Sequence, residues 1–147
     1  MPDAVSAIHD IIPATFEAVS VAEGAPSLEP VSWGSEIHDE LKPLTGEYIV
    51  QKRSFSAFYG TDLEVALRRR GITTVILVGT ITYACVLHTA FDANVRDFDV
   101  IVASDSTLSW DTGLQEPTMR IVDLIIGKTQ STEDIIKSII NNKNKKG

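Results

Sequence analysis

Cysteine is nearly missing from this sequence: Cys85 is the single one among 147 residues. That excludes an intramolecular disulfide and predicts a reducing, cytoplasmic setting. No apolar run of about 18 residues occurs, so no membrane-spanning helix is expected. The opening Met1-Pro-Asp-Ala has neither a basic flank nor a long apolar core and does not read as a secretory signal. Positive charge is scarce. Thirteen Lys and Arg stand against 20 Asp and Glu, a net charge of −7, with a pI near 4.8. This argues against nucleic acid or an anionic membrane as the main partner. No internal repeat is visible, and Gly79-Thr-Ile-Thr matches neither nucleotide-binding fingerprint. Metal ligands are thin as well. The three histidines are His9, His38 and His88, and no Asp-any-His cluster shares a loop. His38 beside Asp39 and Glu40 is the only hint of a metal site, and such residues more often lie on the surface. Neither a metal nor any other cofactor is expected.

What is present suits one domain over residues 1–147, of a size that buries about two thirds of its unfolded surface. Hydrophobic residues make up 44% and mean hydropathy is +0.07, so disorder of the whole chain is not expected. Val5, Ile8, Ile11 and Ile12 recur at helical spacing over residues 3–12 and stop at Pro13. Residues 16–22 read as a short strand, 24–30 as a loop, and 35–41 as one or two helical turns. Strand 48–51 precedes Lys52, helix 61–70 precedes strand 74–79, and a helix over 83–95 is followed by strand 99–104. A helix is predicted over 112–124, a strand over 125–129, and a last helix capped by Ser131 with Glu133 and Asp134 in its first turn. Residues 141–147 read as a frayed polar tail. Strands alternating with helices predict an α/β sandwich with a parallel sheet. Functional groups in such sheets gather at the carboxyl ends of strands, where Lys52 and Cys85 both fall.

Cys85 follows an apolar β-branched strand and a Gly79-Thr80 corner, which places it in the first turn of a helix. Unpaired N–H groups and the positive end of the helix dipole favour a thiolate there. A lone cysteine is equally compatible with a small buried hydrophobe. The wider pattern narrows the choice. An apolar strand leads into Gly79-Thr80-Ile81-Thr82-Tyr83-Ala84-Cys85-Val86, followed by Thr89-Ala90 and Asp92-Ala93. This resembles the nucleophile motif of the isochorismatase-like cysteine hydrolases, the superfamily of nicotinamidase and N-carbamoylsarcosine amidohydrolase. Gly46 to Leu63 is similar to the family segment that carries its catalytic lysine, here Lys52. Residues 100–106 are similar to the strand after the nucleophile helix, and 128–140 to the last strand and closing helix. The likeness covers about residues 31–140.

The resemblance implies a three-layer α/β/α sandwich with a mostly parallel sheet. It implies cleavage of a small amide-like C–N bond through a Cys85 thioester, with Lys52 beside the thiol. It places a cis peptide bond at Thr80–Ile81 and an oxyanion held by the N–H groups of Ile81 and Cys85. Phe55, Phe58 and Tyr83 are candidates for a substrate pocket; Phe55, Phe58 and Tyr59 fit a core equally well. One family element is not found. The family's aspartate ends its first strand, and counting back from Lys52 by the family separation runs off the start of the sequence. Asp3 and Asp10 do not follow an apolar strand. The sequence therefore reads as N-terminally shortened, with residues 1–30 atypical. That strand would lie beside Val75–Val78, leaving an apolar edge for residues 16–21 or a second chain to cover. A homo-oligomer acting on a small molecule is expected. The rival reading is a catalytically weakened relative that serves as an oligomeric binding or structural protein; a redox-sensing thiol is a third. His88, one turn beyond Cys85, is a candidate second base, although a packed or capping role is commoner. Asp105 reads either as functional or as a cap. Trp33 and Trp110 are open between pocket and surface, and Arg68–Arg70 reads as a solvated helix end.

Overall fold

The computed structural model describes residues 19–23 and 42–144. The expected helix over 3–12, loop over 24–30 and turns over 35–41 lie outside the described residues, as do Asp3, Asp10, His9, His38 and Trp33. The strands are β1 (Val19–Glu23), β2 (Tyr48–Lys52), β3 (Thr74–Thr80), β4 (Asp99–Leu108) and β5 (Lys128–Gln130). Helix α1 spans Leu63–Arg69, α2 Leu87–Asn94, α3 Gln115–Ile121 and α4 Thr132–Asn144. A π-helical turn, Thr82–Val86, leads into α2, and another, Val122–Ile126, follows α3.

Among the described residues every strand pair is parallel. β1 pairs with β2 from Val19 opposite Tyr48 to Glu23 opposite Lys52. β4 lies between β3 and β5. Alternation along the strands sorts their side chains onto two faces. Val75 and Leu77 of β3 and Val100 and Val102 of β4 join the larger core with Val50, Phe58, Leu63, Leu67, Val86, Ala90, Phe98, Met119 and Val122. Ile76, Val78, Ile101 and Ala103 face the other way, onto Ile135 and Ile139 of α4. Helices thus cover both faces, as a doubly covered parallel sheet requires. The chain is an α/β sandwich with a mostly parallel sheet.

Several boundaries differ from expectation. The single helix over 83–95 is a π turn followed by α2, because the Ile81 carbonyl accepts from Ala84 N–H (3.1 Å) and Val86 N–H (3.2 Å). Over one turn, apolar spacing does not separate this geometry from an α-helix. The strand expected over 125–129 is confined to Lys128–Gln130, since Ile126 is drawn into the core beside Val122. Gly127 then passes so close to β4 that a Cβ there would lie 2.2 Å from the Val100 carbonyl oxygen. The polar stretch after Asn141 is not wholly a frayed tail, for α4 continues through Asn144. β1 covers β2 rather than the Val75–Val78 edge, so among the described residues β3 is paired only with β4. Residues Thr74 to Gly79 are accordingly half-buried, whereas Val100 and Val102 are 3% and 0% exposed.

Register slips between β3 and β4: Leu77 lies opposite Val102, but Gly79 lies opposite Thr107. The extra β4 residues bulge towards α4. Asp105 Oδ1 accepts from Thr132 N–H (2.8 Å) and Thr132 Oγ1–H (2.7 Å), and Ser131 Oγ accepts from Asp134 N–H (3.2 Å). Asp105 is therefore a cap for α4, the second of its two sequence readings. Desolvation pushes its carboxyl up, but hydrogen bonds from the Thr132 hydroxyl and N–H and from its own N–H together hold it below the usual range. A carboxylate with a lowered folded pKa contributes stability above its unfolded value, near pH 3.9, and loses it as pH falls through the folded value. Asp105→Asn should cost about 1 kcal/mol at neutral pH, the scale of a lost cap. Urea unfolding across pH should show the gap closing below about pH 4.

Candidate active site

The site forms where β2 and β3 end. Lys52 is the last residue of β2, half-buried, and its Nζ donates to Cys85 Sγ at 3.3 Å and to the Ser54 carbonyl at 3.1 Å. Cys85 is half-buried in the π turn after β3. The corner between them needs glycine: Gly79 has φ of +102°, a region costly for residues with a Cβ. The Thr80–Ile81 peptide bond is cis. Thr80 is exposed, Ile81 and Tyr83 are half-buried, and Thr82 is fully buried. Thr82 Oγ1 has no hydrogen-bond partner among the described residues.

The remaining candidates divide. Phe55 is 57% exposed, and its ring lies 5.1 Å from that of His88. Phe58, which the sequence left open between pocket and core, belongs to the core: it is 6% exposed, packs on Phe98 at 5.9 Å and lies under the Arg96 guanidinium. The exposed His88 donates from Nδ1–H to the Ala84 carbonyl at 2.7 Å, a local bond to its own helix rather than contact with the thiol. Trp110 and Tyr59 are exposed at 78% and 69%. Arg68 and Arg69 close α1, with Arg68 paired to Glu64 at 3.2 Å and stacked over Phe98. Among the described residues no group of three or more His, Cys, Asp and Glu is placed to hold a metal ion. No described helix is long and apolar enough to cross a membrane. An apolar cavity of about 140 Å³ lies elsewhere, between Ile76, Ile101 and α4 residues Ile135 and Ile139.

Thr89 has a role that the sequence did not reveal. Its buried Oγ1 accepts from Ala57 N–H at 3.1 Å, tying the segment after Lys52 to the helix after Cys85. The available signal was its position four residues beyond Cys85, on one helix face. In the same helix Asp92 pairs with Arg96 at 2.9 Å, and Arg96 pairs with Glu64 at 3.1 Å. Ala90 and Ala93 are fully buried. Thr89→Val should leave the buried Ala57 N–H without its acceptor and cost about 1–3 kcal/mol. Thr89→Ser should retain most of the stability; chemical denaturation of both variants checks this.

The isochorismatase domain family matches residues 5–134. The uncharacterized isochorismatase family protein YwoC of Bacillus subtilis is 35% identical over 118 residues, covering 80% of this chain and 62% of that protein. The N-carbamoylsarcosine amidase of Arthrobacter sp is 30% identical over 106 residues, covering 72% of this chain and 40% of that enzyme. The chain thus spans less than two thirds of the length of either relative. The structure of an isochorismatase-like hydrolase from Alkaliphilus metalliredigens superposes with a TM-score of 0.85 at 33% identity, covering 93% of this chain and 82% of that one.

Proposed function

Since the chain belongs to the isochorismatase family, we propose that it hydrolyses a C–N bond of a small amide-like substrate, with Cys85 as nucleophile. The observation that carries this reading is the 3.3 Å approach of Lys52 Nζ to Cys85 Sγ. An ammonium at that distance favours a thiolate, the nucleophilic form of cysteine. The similarity to an amidase supports the substrate class.

In this scheme the thiolate attacks the carbonyl carbon, and the carbonyl π electrons move to oxygen. Backbone N–H groups of Ile81 and Cys85 are assigned to that oxyanion. Collapse of the tetrahedral species breaks the C–N bond; the leaving nitrogen takes a proton from solvent water and departs as amine or ammonia, leaving a Cys85 thioester. Water then adds to the thioester, releasing the carboxylic acid and restoring the sulfur. Lys52 stabilises negative charge on sulfur at the start and end of the cycle. Thr80 and Ile81 shape the corner, and Tyr83 and Phe55 border the site. No metal or cofactor enters these steps.

Iodoacetamide near pH 7 should label Cys85 faster than it labels free cysteine. Lys52→Met should slow labelling about tenfold by removing the neighbouring charge. Labelling that accelerates only above about pH 8.5, the range of an ordinary thiol, would overturn the reading. Active thiol chemistry without turnover of any small amide would instead favour a binding role.

Self-association is proposed for the same chain. Among the described residues β3 pairs on one side only, and its apolar Val75–Val78 run is half-buried. Covering such an edge stabilises by roughly 25 cal/mol per Å² of apolar area. Sedimentation at micromolar concentration should show a dimer or larger assembly; a stable, non-aggregating monomer would exclude it.

A further inference from the structure

The helical run after β4 has two apolar faces, and only one of them is covered. Over α3 and the π turn Val122–Ile126, Thr118, Met119, Val122 and Ile126 are buried, the last three in the larger core. That packing uses the inner side of the run. Leu114, Pro117, Ile121 and Leu124 fall outside it, and all four are exposed. Their spacing of three, four and three residues aligns them in one stripe along the helix. Leu124 is 69% exposed, and Ile125 beside it 65%. Trp110, four residues before Leu114, is 78% exposed. Scattered exposed leucines need no explanation. An aligned stripe does, for it leaves on the order of 500 Å² of apolar surface in water, a size characteristic of functional patches.

The charges beside the stripe indicate what covers it. Glu116 and Arg120 are exposed, one turn apart along the same edge, and neither has an ion-pair partner among the described residues. Other opposite charges at this spacing do pair: Glu64 with Arg68, Asp92 with Arg96 and Glu133 with Lys137. Two antiparallel helices related by a two-fold axis set like edges against each other. Glu116 of one copy then faces Arg120 of a second copy, and the pair repeats across the axis.

We propose that this outer face of α3 is the contact surface for a second copy of the chain, packed antiparallel about a two-fold axis. The surface is separate from the β3 edge and independent of the role of Cys85. Pairing α3 with α3 covers both stripes at once. With the charged rim it buries roughly 1,000 Å² in total, the lower end of specific interfaces. A partner of another sequence would have to bring a matching stripe and matching charges, whereas a second copy carries both. The two reciprocal pairs also oppose the general repulsion between two chains of net charge −7.

Charge reversal in the intact chain tests the surface, read by sedimentation at micromolar concentration. Glu116→Arg alone and Arg120→Glu alone should each weaken self-association about tenfold, because each sets like charges opposite at two places. An equimolar mixture of the two variants should regain assembly, since each chain then meets its opposite. Leu124→Glu should abolish association through this face, with far-UV circular dichroism close to wild type because the position is exposed. Should that variant lose its fold, the mixing experiment still decides. A wild-type monomer would overturn the proposal. Assembly unmoved by Leu124→Glu and by both charge reversals would overturn it too, and would leave the β3 edge as the contact. Weakened assembly that mixing does not restore would overturn the antiparallel arrangement. A folded, wholly monomeric Leu124→Glu chain would support the α3 surface and count against the β3 edge.

Discussion

Lys52 and Cys85 are brought together by strands that share no hydrogen-bonded ladder. β2 belongs to one parallel pair and β3 to a separate parallel set, yet their carboxyl ends meet at a 3.3 Å contact. Among the described residues, side-chain packing links the two sets. Val50 of β2 shares a core with Val86 and Ala90 behind Cys85 and with Leu77 of β3. The Ala57 N–H to Thr89 Oγ1 bond adds a direct tether between the two segments. Because close-packed interiors give little when one member changes, the Lys–Cys distance depends on residues that never touch a substrate.

The helix after Cys85 serves both ends of this arrangement. Its buried face consists of Thr89, Ala90 and Ala93, small residues that let the helix lie close against the sheet. Its outer turn carries Asp92, which pairs with Arg96, and Arg96 in turn reaches Glu64 of α1. These ion pairs are partly exposed and individually worth little. Their geometry matters more: Arg96 also lies over Phe58, and Arg68 over Phe98. The alkyl stems and guanidinium planes thus lid the apolar core next to the site.

Much of this architecture is legible in the amino-acid sequence. The apolar, β-branched runs over 74–79 and 99–104 are a local property, and they locate β3 and β4 because both strands are covered on two faces. Lys52 and Cys85 stand out because each follows a strand, and carboxyl ends of parallel strands converge. Three things are not legible. The π turn at Thr82–Val86 differs from an α turn only by where the Ile81 carbonyl finds its donors, and side-chain spacing over one turn does not encode that. Phe55 and Phe58 have the same chemistry and nearly the same position; only tertiary placement decides which is core. The segment before β5 is ambiguous because a short apolar run fits a strand or a buried helical turn equally, and Ile126 joins the latter.

The fate of β4 explains why the proposed chemistry draws on the ends of β2 and β3 and not on that of β4. β4 also finishes near the carboxyl edge of the sheet, and Asp105 is the carboxylate that its sequence position would carry to the site. Between Val102 and Thr107 the register with β3 slips, and the surplus residues turn towards α4. Asp105 is then committed to the first turn of that helix through two bonds to Thr132, while Ser106 Oγ lies 2.6 Å from Thr132 Oγ1. Side chains bound this way hold α4 against Ile101 and Ala103 and cannot turn to a substrate without exposing the orphaned helix end. The same strand edge therefore divides its work: β4 anchors the covering helix, and β2 and β3 are left to present the ammonium and the thiol.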